Sequence, residues 1–275
     1  MTNDRKALWF GLSAIALWST VATAMKLALR ELDVLQLLAI AVCCSALALL
    51  SVVALQKKLP RLIEYFRETP GYFLLMGLVN PLGYYLILLR SYDLLPAQQA
   101  QPINYTWAIM LALLAVPLLG QRLTGRDMLA IALGYLGVVV IATRGDLLGM
   151  QFDSVEGVIY ALVSTVVWAL YWIASTRNTR DPIVSLCVNF LVAAPIAVIL
   201  CAVFSDLSVP TWRGLLPAIY VGLFEMGITF ALWSLALRYA SGVSRVGNLI
   251  FLSPLLSLGF IATILGESIH PATLV

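Results

Sequence analysis

Charged side chains are scarce in this sequence. Asp, Glu, Lys and Arg together make 11% of its 275 residues, against 61% hydrophobic. Soluble domains carry about 25% charged residues, so this chain lacks the polar surface that keeps a domain of its length dispersed. Histidine occurs once, as His270, leaving a histidine base or histidine-held metal inside the apolar blocks without its residue. There is no GxSxG elbow, no P-loop and no pair of aspartates within an apolar block. The usual nucleophile, ATP cradle and carboxylate dyad are therefore missing, and neither enzyme chemistry nor a cofactor is expected. No basic run interleaved with aromatics points to nucleic acid. The four cysteines, Cys43, Cys44, Cys187 and Cys201, all lie in apolar blocks. Adjacent Cys43 and Cys44 cannot close an unstrained bridge and no metal-ligand spacing occurs, so all four read as small packing residues.

What is abundant is apolar residues in blocks of about twenty, the length at which a helix crosses a bilayer's hydrocarbon core. Nine spans are read, near 7–29, 33–55, 71–91, 97–118, 126–143, 155–176, 182–205, 212–237 and 243–265. The expected fold is an all-α polytopic membrane protein, with the lipid bilayer as its first partner. Between the second and third spans Lys57, Lys58, Pro60, Arg61, Glu64, Arg67 and Glu68 mark a polar, amphipathic segment suited to the membrane surface. Other connections are tight, so any chemistry belongs inside the bundle. Arg5, Lys6 and the run Ala22-Thr23-Ala24 loosely resemble a cleaved signal. The apolar stretch continues past that run, and the first span is expected to be retained.

Lys and Arg alternate in density from side to side. With the N-terminus cytoplasmic, the inside set is Arg5, Lys6, Lys57, Lys58, Arg61, Arg67, Arg122, Arg126, Arg177, Arg180, Arg238 and Arg245. The outside set is Arg30, Arg90, Arg144 and Arg213, with Lys26 near the outer end of the first span. Twelve cations against five place the N-terminus inside.

The chain also repeats itself. Ala16-Leu17-Trp18-Ser19-Thr20-Val21 returns as Ala161-Leu162-Val163-Ser164-Thr165-Val166, five of six identical at an offset of 145. Gly77-Leu78 pairs with Gly222-Leu223 at the same offset, and Leu119-Gly120 with Leu265-Gly266 at 146. The unit holds five spans, and duplicating an odd number in tandem inverts the second copy. Inverted repeats at 1–145 and 150–275 are the architecture of many secondary transporters, with substrate bound near mid-membrane. The fifth span has no counterpart before Val275; ten spans are expected, the tenth being cut short.

Several polar and aromatic side chains occur at helical spacing within these spans. Asn80 and Tyr84 share a face beside Pro81 and Gly83, and Gln98, Gln101 and Tyr105 form a stripe with Pro102 able to kink it. Trp107 lies about 200° around from Tyr105 and joins it on one cavity only across a kink or in a wide pocket. Ser164, Trp168, Tyr171 and Ser175 share a face in the sixth span. The alternative for the aromatics is a headgroup-level belt, the reading preferred for Trp9, Tyr72, Trp212 and Tyr239. Glu225, mid-span and at the repeat position of Asn80, is expensive in lipid and reads as a protonatable or cation-contacting group, or as an interhelical tie. The candidate substrate residues are Asn80, Tyr84, Gln101, Tyr105, Trp107, Ser164, Trp168, Tyr171 and Glu225; the candidate hinges are Pro81, Gly83 and Pro254. No metal ligand set is read.

Ala16-Leu17-Trp18-Ser19-Thr20, Leu119-Gly120-Gln121-Arg122-Leu123-Thr124, Phe251-Leu252-Ser253-Pro254-Leu255-Leu256-Ser257 and Leu265-Gly266-Glu267-Ser268 resemble EamA-type domains of the drug/metabolite transporter superfamily. Within it, Ile103-Asn104-Tyr105-Thr106-Trp107 is similar to a segment of bacterial aromatic amino-acid exporters. Gln121 departs from a glutamate common in the family, whereas Glu267 keeps it. The resemblance implies an inner-membrane exporter of amino acids and related metabolites, aromatic ones included. Aromatic walls with a few amides suit such a flat solute, and protons are a candidate coupling ion. The alternatives are an exporter of hydrophobic organic cations, for which the same walls and one acid would serve, or a lipid-handling or sensory membrane protein.

Overall fold

The computed structural model of the chain describes residues 3–120, 123–143, 145, 153–208, 210–239 and 252–274. These residues form α1 (Asn3–Leu29), α2 (Val34–Leu55), α3 (Leu59–Glu68), α4 (Pro70–Gly77), α5 (Tyr84–Leu94), α6 (Ala97–Tyr105) and α7 (Trp107–Leu119). Then follow α8 (Gly125–Ala142), α9 (Val155–Thr176), α10 (Pro182–Phe204), α11 (Trp212–Val221), α12 (Ile228–Tyr239) and α13 (Leu252–Phe260). Among the described residues seven helical stretches are long and apolar enough to cross a membrane, and two shorter apolar ones, Ile131–Ile141 and Leu252–Leu265, fall in the fifth span and the later part of the ninth. The start of the ninth span lies outside the described residues, as do Gln121, Arg122, Arg245 and Phe251.

Local chemistry explains where helices begin and end. Asp33 accepts from the amides of Leu35 and Gln36 at 2.8 and 3.0 Å while the Gln36 side chain accepts from the Asp33 amide at 3.1 Å, a reciprocal capping box. Ser154 caps α9 through the Gly157 amide, and Asp181 caps α10 through the amides of Ile183 and Val184, with Pro182 in the first turn. Gly120 and Gly266 both turn left-handed, at φ 67° and 71°, so the glycines paired in the sequence repeat share a backbone role. The polar segment after α2 folds as α3, with Leu62 buried and Leu59 and Ile63 exposed.

Among the described residues three stretches are wound as π-helix: Leu78–Gly83, Gly222–Gly227 and Ile261–Leu265. The first two overlap at the repeat offset of 145 and carry Asn80 and Glu225 respectively. Pro81 has no amide hydrogen to donate, and Asn80 departs from helical geometry at φ −146°, ψ 120°. The helix register is thus broken between Asn80 and Tyr84, and the shared face expected of an uninterrupted helix does not form. Pro254 lies near the start of the described part of α13, where a missing amide hydrogen is tolerated.

The helices cluster into two compact units. One comprises residues 1–82 and 180–265, the other 83–179 and 266–275. In the first, α1 packs on α11, α12 and α13, and α2 on α10 and the Gly222–Gly227 segment. Leu37, Leu38, Leu49 and Val53 of α2 and Val184, Cys187 and Phe190 of α10 are buried. A Cβ on Gly77 would stand 2.8 Å from the Asn189 carbonyl oxygen, and one on Gly222 would stand 2.8 Å from the Cys44 Cβ and 2.6 Å from the Ala41 carbonyl oxygen. Cys44 and Asn189 are themselves 145 apart, so the two glycine contacts are reciprocal between repeats. Small residues letting backbones approach are a recurrent device of membrane helices.

Two ends of this unit are tied by polar contacts. At one, Lys58 pairs with Asp181 at 2.6 Å and Arg180 with Glu68 at 2.9 Å. At the other, Thr211 donates to Glu31 at 3.2 Å and Gln36 to the Asp206 carbonyl at 3.0 Å. In the second unit α9 packs against α5, α6 and α7, and α8 against α6.

Candidate functional site

The second unit holds a column of stacked rings. Tyr84 of α5 stacks on Trp168 of α9 with centroids 4.3 Å apart at 24°. Trp168 stacks in turn on Tyr171 at 5.7 Å and 18°. Tyr85 meets Tyr84 edge-on at 4.8 Å and Trp172 meets Trp168 edge-on at 5.9 Å. The spacing of Trp168, Tyr171 and Trp172 puts all three on adjoining faces of α9, and Tyr84, Trp168 and Tyr171 are buried.

Asn104 of α6 organises the polar side of this column. Its amide nitrogen donates to Ser164 Oγ at 2.9 Å and to the Tyr84 hydroxyl at 3.3 Å. Ser164 passes its own proton to the Ala161 carbonyl at 2.6 Å, which leaves its oxygen free to accept. The repeat-equivalent Ser19 makes the same turn-back bond to Ala16 at 2.7 Å. Asn104 sits three residues after Gln101 on α6. That one-turn spacing from a candidate residue was the signal available for it, and only the packing of α6 on α9 shows that it links Tyr84 to Ser164.

Beside the column the indole Nε1 of Trp172 is buried and has no hydrogen-bond partner among the described residues. A desolvated donor without an acceptor is costly, by about 1–3 kcal/mol, and is suited to a carbonyl or carboxylate oxygen brought by a ligand.

Of the candidate residues, the structure therefore gathers Tyr84, Ser164, Trp168 and Tyr171. Gln101 is buried in the same unit. Tyr105 closes α6 and Trp107 opens α7, with Thr106 between them hydrogen-bonded back to the Ile103 carbonyl at 2.7 Å. Asn80 and Glu225 belong to the first unit. Asn80 is fully buried, and neither its amide oxygen nor its nitrogen has a partner among the described residues. Glu225 is half-buried in its π-turn, and its carbonyl accepts from the Trp18 indole at 3.4 Å. Trp18 packs on Phe230 and Trp233, so that family-motif residue secures α1 to α12.

Gln98 and Glu267 have structural work. The Glu267 carboxylate accepts from the amides of Ala97 and Gln98 at 3.1 and 3.4 Å, where α6 begins, an anion at a helix N-terminus. Gln98 donates to the Ser268 carbonyl and accepts from the His270 amide, both at 2.9 Å. Of the expected belt residues, Trp9 and Trp212 are strongly exposed, whereas Tyr239 is half-buried and stacks on Phe10.

This helical, multi-pass architecture with repeated halves is that of a membrane transporter. The profile of the EamA-like transporter family matches residues 5–143 and again 155–275, and the chain belongs to that family, part of the drug/metabolite transporter superfamily. It is 27% identical over 183 residues to the aromatic amino acid exporter YddG of Ancylobacter novellus, a match covering 66% of this chain and 63% of that protein. An uncharacterized transporter of Clostridium kluyveri is 25% identical over 73% of this chain and 66% of its own length. The chain thus spans less than two thirds of the length of these curated relatives. A protein of known crystal structure shares the fold, with a TM-score of 0.71 over 98% of this chain and 91% of that one, at 22% identity.

Proposed function

We propose that this chain exports amino acids, aromatic and other small neutral ones, and related metabolites across an inner (plasma) membrane. The observation that carries the reading is the Tyr84–Trp168–Tyr171 column bordered by Asn104 and by the Trp172 indole, which has no partner among the described residues. Aromatic faces suit a flat apolar side chain, while an amide and an indole N–H suit the carboxylate and ammonium end of an amino acid. Membership of a transporter family and the YddG likeness support it. Asn80, Gln101, Tyr105, Trp107 and Glu225 complete the proposed substrate path.

The mechanism proposed is alternating access between the two inverted halves, whose helices are shared out between the two compact units. The chain passes between them at Leu82–Gly83, Thr179–Arg180 and Leu265–Gly266. A π-turn, an interhelical loop and a left-handed glycine mark these places. Pro81 and Gly83 flank the first crossing and serve as hinge residues; Pro254 lies within one unit. Repeats at 1–145 and 150–275 would each contribute helices to both units. A cytoplasmic N-terminus is supported by the cation count and by the unit's tied ends: the connections paired by Lys58–Asp181 are both assigned inside, and those joined by Thr211–Glu31 both outside.

Counterflow of labelled phenylalanine, tyrosine, tryptophan and small neutral amino acids in proteoliposomes tests the proposal. Saturable exchange is expected, and absence of saturable flux across the whole panel would reject it. Imposing and removing a pH gradient separates proton-coupled from facilitated movement. A second reading, export of hydrophobic organic cations, is favoured by the half-buried Glu225 in its π-turn. Glu225→Gln abolishing cation export while neutral amino-acid flux persists would identify it.

A further inference from the structure

The first unit carries a groove of about 370 Å³ between three helices, away from the ring column. Thr20, Thr23 and Leu27 of α1, Leu216 and Tyr220 of α11 and Phe260 of α13 form its walls, and Ile264 closes its upper side. Its volume falls at the lower end of the about 300–1,000 Å³ typical of ligand sites. Leu216 and Ile264 are 59% and 53% exposed, so the groove opens sideways, in the direction where a spanning helix meets lipid tails.

Three hydroxyls, of Thr20, Thr23 and Tyr220, lie in the walls. Thr20 donates to the Leu17 carbonyl at 2.6 Å, and its oxygen lies 2.7 Å from the Tyr220 hydroxyl. With one proton on each hydroxyl, Tyr220 donates to Thr20 and Thr20 to the carbonyl, which satisfies both. The Thr23 hydroxyl, also in the wall, is buried and has no partner among the described residues; the rest of the surface presented is apolar in effect.

The outer mouth is cationic. Arg30 lies one helical turn beyond Leu27, and Arg213 one turn before Leu216 and Pro217, so both stand at the same end of the groove. That end is held together by Thr211 on Glu31 and by Arg30, which donates to the Leu265 carbonyl at 3.1 Å. Both arginines are exposed, Arg213 lies over the Trp212 ring at 5.6 Å, and among the described residues neither is paired with a carboxylate. Glu31 is the acid at this mouth, while Asp33 and Asp206 are engaged in capping contacts nearby. Two of the five cations that the sequence puts on the outer side, Arg30 and Arg213, therefore stand at this end, although outer loops are generally poor in Lys and Arg. By contrast, Arg90 on that side is paired with Asp93 and Glu156.

We propose that this groove is a specific site for an anionic phospholipid, with one acyl chain along α1 and α11 and the phosphate held by Arg30 and Arg213. The site does not depend on which solute the protein exports. Juxtamembrane cations attract acidic headgroups, and a trough whose walls are largely apolar favours a hydrocarbon tail over a polar solute.

Native mass spectrometry of the full chain in neutral detergent tests this, with equal amounts of a phosphatidylglycerol and a phosphatidylcholine of matching acyl chains. Retention of phosphatidylglycerol about tenfold or more above phosphatidylcholine is expected from two headgroup-contacting arginines. Arg30→Gln combined with Arg213→Gln should bring the two lipids to parity. Ala24→Phe, filling the groove, should lower retention of both. Should the lipid-free melting temperature of Ala24→Phe fall, Leu216→Trp on the exposed wall replaces it. Parity in the unaltered protein, a preference that survives the double substitution, undiminished retention in a folded groove-filling variant, or displacement of phosphatidylglycerol by inorganic phosphate would each overturn the proposal.

Discussion

At the scale of single residues, Asn104 is the most consequential side chain in the ring column. Asn104→Leu keeps the branched shape of the side chain but strands the Tyr84 hydroxyl and Ser164. Losing charge-free hydrogen bonds of this kind costs about 1.5 kcal/mol, and aromatic amino-acid counterflow should fall about tenfold with a near-normal yield of folded protein. Trp168→Ala removes the middle ring of the stack. Large-to-small changes of a buried aromatic cost about 3–5 kcal/mol, so the melting temperature should drop sharply, and Trp168→Phe should recover most of it. Glu267 belongs to a different class. Its carboxylate faces two amides at the start of α6, and Glu267→Gln should lower stability by about 0.5–1 kcal/mol, read as a modest melting shift with substrate selectivity unchanged.

Single elements owe their placement to backbone approach and to ion pairs at their ends. Gly222→Val would drive side-chain carbon into the Ala41 carbonyl and Cys44. Overpacking of this kind costs about 1–3 kcal/mol or more, and Gly77→Val should behave alike because its contact with α10 is the reciprocal one. At the other end of α10, burial alone would raise the Asp181 pKa. The Lys58 ammonium and the amides of Val184 and Ile183 outweigh it and hold the carboxyl below its ordinary value. A depressed carboxylate pKa lends stability that is fully present above the unfolded value, about 3.9, and is lost as pH falls through the lower folded value. Acid titration of the melting temperature should therefore show a loss that begins below about pH 4, shallower in Lys58→Met.

At the scale of the whole molecule, the compact units do not follow the repeats. Each draws helices from both halves of the chain, and reciprocal contacts such as Gly77 on Asn189 and Gly222 on Cys44 knit the halves together. A protein severed between residues 145 and 153 and co-expressed as two pieces should reassemble, since the first unit is made from both; recovery of a stable first half alone would contradict this. Protease protection should find the N-terminus on the cytoplasmic side, the outcome the cation asymmetry requires.

Much was legible without coordinates. Membrane class, the position of each described span, the repeat and the family are properties of local composition and linear order, and twenty apolar residues in a row signal a span whatever surrounds them. Asp33, Ser154 and Asp181 announce helix starts for the same reason: a cap acts on amides two or three residues away. Which residues meet was decided only by the tertiary structure. Most of these helices are apolar on all sides, so periodicity does not reveal which face turns inward. Asn104 finding Ser164, the break between Asn80 and Tyr84, and the gathering of Arg30 and Arg213 at one groove depend on helix rotation, π-turns and neighbours far away in sequence.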